Sequence, residues 1–128
     1  MPDFRDRIDV FCVGDDLDVR RTVRKIPAGQ TVVEAWLTIK EDEEDSDAEA
    51  VLQKHITGTD VPGTGAIEAD GSTDQIAVLR FDLTAADTLL LEADAPYFHD
   101  VQIKTSAGKL NTPFKGMTIA KQQITVSN

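Results

Sequence analysis

The sequence predicts an all-β protein, folded as an antiparallel β-sandwich of about seven to nine short strands with at most one short helical turn. Three observations predict this class. Apolar and polar residues alternate with a period of two through much of the chain, which is typical of strands with one buried face. Clusters of glycine, proline and aspartate separate the alternating segments, as turns do. The 128 residues suffice for one core, so we expect a single domain over 1–128 with an acidic loop at 41–49.

Three strands are predicted before the acidic loop. They cover residues 8–13, 17–26 and 31–40. A Gly-Asp-Asp turn at 14–16 separates the first two, and a Pro-Ala-Gly-Gln turn at 27–30 separates the second from the third. In the third strand, the alternation predicts an apolar face made of Val33, Ala35, Leu37 and Ile39.

Residues 48–56 are open to two interpretations. Ser46 as an N-cap, with Glu49 three residues later, has the pattern of a capping box and predicts a short helix. The alternative is a strand over 51–56. We prefer the strand because the glycine- and threonine-rich residues 57–65 have the composition of a loop between two β elements.

The next part of the chain predicts two strands and the single helical turn. The strands are expected at 65–70 and 76–83, and the second has Ala77, Leu79, Phe81 and Leu83 in phase on one face. Residues 84–87 are expected to form one turn of helix, after which a brief apolar piece leads into the C-terminal strands.

The C-terminal segment 97–126 predicts two strands joined by a glycine-containing turn at 106–109. The first strand places one set of side chains on a single face, namely Tyr97, His99, Val101 and Ile103. In the last strand the apolar phase changes between Met117 with Ile119 and Ile124 with Val126. This change predicts a bulge or a crossing between sheets near residues 121–122.

The composition excludes several classes of function. The net charge is −10, but the segment 41–49 alone holds seven acids and no base, which leaves 16 acids against 13 bases elsewhere. Nucleic-acid binding is therefore not expected, because it requires a basic surface. No apolar run approaches the roughly 20 residues that cross a bilayer, and the first residues lack the apolar core of a secretory signal. The one cysteine, Cys12, excludes an internal disulfide and fits folding in a reducing cytoplasm.

No motif for catalysis, cofactor binding or metal binding is found in the sequence. The two histidines, His55 and His99, have no partner at zinc-ligand spacing, and the acidic segment lacks the pattern of a calcium-binding loop. There is no phosphate-binding loop and no nucleophile elbow. The sequence therefore predicts a protein that is not an enzyme and has neither a cofactor nor a metal site.

Two aromatic residues lie out of phase with the predicted core. Trp36 alternates with Ala35 and Leu37, and Phe98 follows Tyr97 directly, so both side chains point away from the apolar face of their strand. A neighbouring segment could cover them and form a second apolar layer. Alternatively they are exposed and anchor a protein partner, as aromatic residues often do in interfaces.

A basic cluster lies on the predicted second strand, formed by Arg20, Arg21, Arg24 and Lys25. Arg21 interrupts an otherwise apolar face, so we expect it near the edge of a sheet. The cluster is either solvated charge that protects an edge strand or a surface that meets the acidic loop of another subunit and orients docking. Arg20, Arg21, Arg24, Trp36 and Phe98 are thus the candidate partner-binding residues.

The order of several short motifs resembles a known family. The chain has a strand followed by a Gly-Asp turn at 11–16, the run Ala-Trp-Leu-Thr-Ile-Lys at 35–40, Phe-x-Leu followed by Asp-Thr at 81–88, and Tyr-x-x-Asp-Val-Gln-x-Lys with Gly-Lys, Thr and Gly at 97–116. This order is similar to that of the immunoglobulin-like β-sandwich domains of tailed-phage structural proteins, of which the N-terminal domain of baseplate upper proteins is an example. The resemblance covers most of the chain, but the acidic loop is not part of the pattern. From residues 1–128 we also expect no long C-terminal extension with receptor-binding parts like that of the baseplate protein.

The resemblance implies an immunoglobulin-like sandwich without catalytic residues. It also implies a scaffold or adaptor role in the tail or baseplate of a phage or prophage particle, after folding in the host cytoplasm. The partners would be other phage structural proteins or copies of the chain itself, as a homo-oligomer, with no nucleic acid and no membrane. A carbohydrate-binding module is the alternative, although aromatic residues make up only 5% of the chain and no secretory signal is expected. A small acidic hydrolase is the third possibility.

Overall fold

The computed structural model describes residues 6–122, apart from the side chain of Asp47, and contains eight strands, one short α-helix and one 3₁₀ turn. The strands are β1 Asp6–Ile8, β2 Leu17–Val23, β3 Val32–Lys40, β4 Leu52–Ile56, β5 Gly65–Asp70, β6 Ala77–Leu83, β7 Pro96–Thr105 and β8 Leu110–Ile119. The helix α1 covers Ala85–Thr88, and the 3₁₀ turn covers Asp47–Glu49.

The strands form two sheets that pack face to face. The larger sheet has the order β1-β8-β7-β3-β4, and the smaller has the order β2-β6-β5. All neighbours are antiparallel except β1 and β8, which run parallel. In an immunoglobulin sandwich of seven strands, the second, fifth and fourth form one sheet, and the third, sixth and seventh lie in the other. The order found here is the same when β4 is counted as an additional strand after the third, so that β5 to β8 correspond to the fourth to seventh. The prediction of an all-β sandwich with one short helical turn is confirmed.

The core lies between the two sheets and follows the predicted alternation. In β6, the four in-phase residues from Ala77 to Leu83 are all buried. In β7, every second residue from Tyr97 to Thr105 is buried. The two central strands thus each present one apolar face to the other sheet, which is the main source of the sandwich's stability.

An aromatic hydroxyl fixes the connection between β6 and β7. Helix α1 begins after Thr84, which forms a capping box with Asp87, so the predicted helical turn at 84–87 is confirmed with a shift of one residue. Further along, the Tyr97 hydroxyl accepts a hydrogen bond from the backbone N–H of Glu92 at 2.8 Å. Immunoglobulin-like domains typically have a tyrosine at the start of their sixth strand, which corresponds to β7 here, and its hydroxyl binds the backbone that precedes it.

The two interpretations of residues 46–56 each describe one part of the segment. Ser46 and Glu49 form the predicted capping interaction, with the Glu49 carboxylate accepting from the Ser46 backbone N–H at 3.1 Å, but the helix is a single 3₁₀ turn. The preferred strand is confirmed as Leu52–Ile56.

The predicted face of β3 is wrong at its first residue. Val32 is 3% exposed and Val33 is 40% exposed, whereas Ala35, Leu37 and Ile39 are buried as expected. A β-bulge between Val32 and Glu34 shifts the alternation by one residue. Such a shift depends on the pairing partner, β7, and leaves no mark in the local pattern.

The first predicted strand, 8–13, is wrong in its position, because β1 covers Asp6–Ile8 and overlaps the prediction only at Ile8, and the second predicted strand is shorter than expected. Regular pairing of the first ends at Ile8, and Cys12 forms only an isolated bridge to Lys121, with Val10 exposed between them. The second ends at Val23, because Lys25 adopts a left-handed conformation with φ of 63° that no regular strand allows. The phase change predicted near 121–122 depends on Ile124 and Val126, which lie outside the described residues, and stays a prediction.

Candidate binding face

The candidate site is the face of the five-stranded sheet that points away from the core, called the outer face below. Alternation along each strand and the pairing register place its side chains. They are Arg7 on β1, Lys115 and Met117 on β8, Phe98, Asp100, Gln102 and Lys104 on β7, Glu34, Trp36, Thr38 and Lys40 on β3, and Gln53 and His55 on β4. Within residues 6–122, no further sheet packs over this face, and the 3₁₀ turn Asp47–Glu49 of the acidic loop contacts β3.

Trp36 lies near the centre of the outer face and is fixed by its neighbours. Its ring stacks on that of His55, the directly opposite residue on β4, with ring centroids 5.0 Å apart and an interplanar angle of 6°. His55 Nε2 lies 3.1 Å from a Glu34 carboxylate oxygen. Gln102 is the opposite residue on β7. The stack therefore holds the indole between two strands, and its half-buried state comes from neighbours in the same sheet.

An open groove of about 440 Å³ borders the tryptophan. Its lining combines an aromatic ring with amides and charged groups, namely Glu34, Trp36, Gln53, Gln102, Lys104, Gly108 and Leu110. Leu110 is 56% exposed, which is unusual for a large apolar residue beside a tryptophan. The groove joins the outer face to the hairpin between β7 and β8.

Phe98 lies at the opposite end of the outer face, where the acidic loop begins. Its register partners are Lys40 on β3 and Met117 on β8. It lines a small hollow together with Lys115 and Glu43, which belongs to the acidic loop. Trp36 and Phe98 thus lie on one face, as the sequence predicts, and the acidic loop forms the border of that face beside Phe98.

The three arginines predicted to form one cluster lie on different surfaces. Arg20 points to the outside of the three-stranded sheet, where its Nε donates to Glu68 at 2.9 Å. Arg24 is exposed in the loop after β2. Arg21 points inward, and its side chain is 18% exposed. Strand alternation separates neighbours in sequence, so these residues do not form the single basic surface that their spacing indicates.

Arg21 takes part in a buried polar network that connects the two sheets. From β2, its Nε donates to Asp6 on β1 at 2.9 Å. Asp6 lies 2.8 Å from His99 Nε2, and His99 Nδ1 lies 2.8 Å from the Thr118 hydroxyl. The side chain of His99 has no exposed surface, and Thr118 is also fully buried. The expected position of Arg21 near an edge is confirmed, because β2 is an edge strand.

The charges of this network favour the ionised carboxylate. Burial by itself raises the pKa of Asp6, but the hydrogen bond to His99 and the neighbouring Arg21 guanidinium outweigh it and hold the pKa of Asp6 below its usual value of 3.8. An ionised Asp6 accepts the Nε2–H of His99, and Nδ1 of the same ring pairs with the Thr118 hydroxyl. Each polar group has a partner, which identifies the network as a structural connection between the sheets. Asp6 was missed in the sequence because nothing in its own segment indicates its partners.

The outside of the three-stranded sheet holds its cations in a second network. The Arg80 guanidinium binds Asp82 at 2.8 Å, Asp60 at 2.6 Å and Glu68 at 3.3 Å, and Glu68 also binds Arg20. On this surface, two arginines are thus paired with three carboxylates of the same surface.

The described part of the chain contains no group of three or more histidine, cysteine, aspartate or glutamate side chains arranged to hold a metal ion. Within the same residues, no helix is long and apolar enough to cross a bilayer. Neither the family models nor the curated proteins with which the sequence was compared give a match.

Proposed function

We propose that the protein is a non-enzymatic structural module of a phage or prophage particle, which binds neighbouring particle proteins through the outer face of its five-stranded sheet. The observation that carries the proposal is the position of Trp36, which a stack with His55 holds on the sheet face that is turned away from the other sheet. A rigidly held aromatic residue on an open face is typical of a protein interface.

The use of the ionisable groups supports a structural role. The buried histidine binds a carboxylate and a hydroxyl inside the sandwich, and its side chain has no exposed surface. On the other side of the protein, Arg80 is surrounded by three carboxylates. Groups of this kind could support catalysis in other settings, but here they hold strands together. The assignment to a phage particle rests on the sequence resemblance to tailed-phage domains.

Detection of the chain in purified particles tests this proposal. Particles from the source strain, after prophage induction, would be banded on a density gradient and digested for quantitative peptide mass spectrometry. We expect peptides of this chain in a fixed ratio to the major tail proteins across the particle band. Abundant chain in the lysate, with none in the particle band, would refute the assignment.

A carbohydrate-binding module is the second candidate, favoured by the groove beside Trp36 with its amide and carboxylate lining. It ranks second because one face of the indole is covered by His55, which leaves less of the ring for a sugar to stack on. A glycan array probed with the purified chain distinguishes the two. Binding that Trp36→Ala and Gln102→Ala abolish would support this candidate, and an array without binding would exclude the glycans it displays.

A further inference from the structure

We infer that the partner of the outer face is a second copy of this chain, bound antiparallel across a two-fold axis so that the acidic loop of each copy meets the β7–β8 hairpin of the other. The inference deepens the proposed function and rests on it for its biological setting. Three features carry it: the charge of the outer face, the distribution of charge along it, and the tryptophan near its centre.

The outer face lacks the negative charge of the rest of the chain. Among the described residues it carries four cations and two carboxylates, namely Arg7, Lys40, Lys104, Lys115, Glu34 and Asp100. The chain as a whole has a net charge of −10. Two copies therefore meet through this face without the repulsion that other surfaces would cause, because apposed like charges cost several kcal/mol.

The two ends differ in net charge once the flanking loops are counted, because the seven acids of residues 41–49 outnumber Arg7, Lys40 and Lys115 at that end of the face. β3 ends at Lys40 and continues directly into the seven acids of residues 41–49, of which Glu43 borders the face beside Phe98. At the start of β3 lies the β7–β8 hairpin, whose Ser106 backbone N–H donates to Thr31 at 2.8 Å. This end presents Lys104 and the exposed Lys109.

A two-fold axis that lies in the interface, parallel to the sheet and perpendicular to its strands over Thr38, pairs these ends. It places the acidic loop of one copy over the hairpin lysines of the other, and it does so twice, since the contact is isologous. The same operation places one Trp36 on each side of the axis, two residues from it along β3 and about 13 Å from the other. Polar Gln53 and Gln102 surround them and supply hydrogen-bonding groups to the rim.

The size of the face predicts a weak dimer. Five strands about 4.8 Å apart and six residue steps of about 3.3 Å give a face of roughly 20 Å by 20 Å. This is about half of the 800 Å² or so that each partner buries in an interface of standard size. Contact between the acidic loop and the hairpin enlarges it, so we expect association that depends on protein concentration and weakens with salt.

A charge-exchange experiment tests the inference. One variant combines Lys104→Glu and Lys109→Glu, which makes both ends acidic. The other combines Glu41→Lys, Asp42→Lys, Glu43→Lys and Glu44→Lys, which leaves three acids and four lysines in residues 41–49 and makes the loop net positive. Each variant alone apposes like charges in the antiparallel dimer, whereas a mixture of the two restores opposite charges at both contacts.

Light scattering after gel filtration gives the mass of each sample. We expect a concentration-dependent dimer for the unaltered chain, at least a tenfold weaker dimer for each variant alone, and a dimer in the equimolar mixture with twice the 14.0 kDa mass. Raising the salt from about 50 mM to about 500 mM should weaken the mixed dimer at least tenfold, because screening shortens the range of the charges. Trp36 is the one tryptophan of the chain, so its emission should shift to shorter wavelength when the variants are mixed.

A matched control for the variant with Lys104→Glu and Lys109→Glu changes the net charge equally but away from the face. Arg20→Glu with Lys121→Glu should leave the unaltered dimer within about twofold, since Arg20 lies on the three-stranded sheet and Lys121 follows the end of β8. Recovery of association on mixing shows that both variants are folded, so loss of structure is not confused with loss of binding.

Three outcomes would overturn the inference. A monomer at every concentration, in the unaltered chain and in the mixture, would exclude a second copy as the partner. Masses above a dimer in the mixture would mean a head-to-tail contact instead of an isologous one. A dimer that neither variant weakens would use another surface. None of these bears on the presence of the chain in phage particles, which is measured separately, so the two proposals fail independently.

Discussion

Replacing Asp6 with alanine is expected to destabilise the sandwich far more than the loss of an exposed carboxylate. Asp6 accepts from both Arg21 and His99, and through Arg21 it links β1 to the three-stranded sheet. Without it, the fully buried His99 Nε2–H has no acceptor. Arg21 keeps its hydrogen bonds to the backbone carbonyls of Arg20 and Arg7, at 2.7 Å and 3.0 Å, but loses its counter-ion.

The magnitude follows from these two losses. A buried donor without a partner costs about 1–3 kcal/mol, and a charge-assisted hydrogen bond contributes about 1.5–3 kcal/mol. The side chains of Arg21 and Asp6 are 18% and 16% exposed, so solvent reaches the pair and its loss belongs at the lower end of that range. We therefore expect a loss of about 3 kcal/mol out of a total stability of about 5–15 kcal/mol. For a domain of 128 residues this corresponds to a fall in Tm of roughly 10 °C.

Urea denaturation at pH 7 measures this loss, with Asp18→Ala as the control. Asp18 is an exposed carboxylate on β2 and should cost no more than about 0.5 kcal/mol. Because the pKa of Asp6 is depressed in the folded state, its contribution is present above the unfolded value of 3.8 and is lost as pH falls through the lower folded value. The gap between Asp6→Ala and the unaltered chain should accordingly narrow below about pH 4. Equal stability of Asp6→Ala and Asp18→Ala at pH 7 would refute the assignment of the network.

Three further substitutions test other parts of the fold. Gly116→Ala should lower the free energy of unfolding by at least about 2 kcal/mol, because a Cβ there would collide with the backbone of Asp6. The β1 amides should then exchange with solvent, and full protection of β1 would contradict its parallel pairing with β8. Tyr97→Phe should lower the free energy of unfolding by about 1 kcal/mol, since the backbone N–H five residues upstream loses its acceptor. Urea denaturation measures this loss, and an unchanged midpoint would show that water replaces the hydroxyl. Asp87→Asn should cost about 1.5 kcal/mol at pH 7 through its 2.6 Å ion pair with Lys54. Burial raises the pKa of Asp87, but the hydrogen bonds with Lys54 and Thr84 outweigh the effect of burial and hold the pKa below 3.8. The cost of the substitution should therefore disappear as pH falls through the pKa of the folded state. A cost that persists at pH 2 would contradict the ion pair.

Local alternation was sufficient to predict the central strands. The apolar faces of β6 and β7 follow from residues two apart, because a central strand in a sandwich has one buried side along its whole length. The same reasoning placed Trp36 and Phe98 on the opposite side of their sheet. Alternation failed at Val33, where a bulge set by the partner strand moves the side chain outward.

The candidate site was only partly accessible to sequence reasoning. The aromatic residues and the acidic loop were identified, but the expected basic cluster was not a surface, since Arg21 turns inward while Arg20 binds Glu68 outside. The cations that do lie on the outer face, such as Lys104 and Lys115, are on other strands. Their common surface depends on pairing between β7 and β8, which no short segment encodes.

The sequence by itself therefore determined the all-β class, the phase of the central strands, the turns and the concentration of acid in residues 41–49, because each of these depends on neighbours a few residues apart. Only the tertiary structure decided the parallel contact of β1 with β8, the network of Asp6, Arg21 and His99, and the union of Trp36 with the hairpin lysines on one face. These features join residues as far as 110 positions apart, as in the pairing of Asp6 with Gly116. Their proximity follows from how the sheets are ordered and packed, and that order is a property of the whole chain.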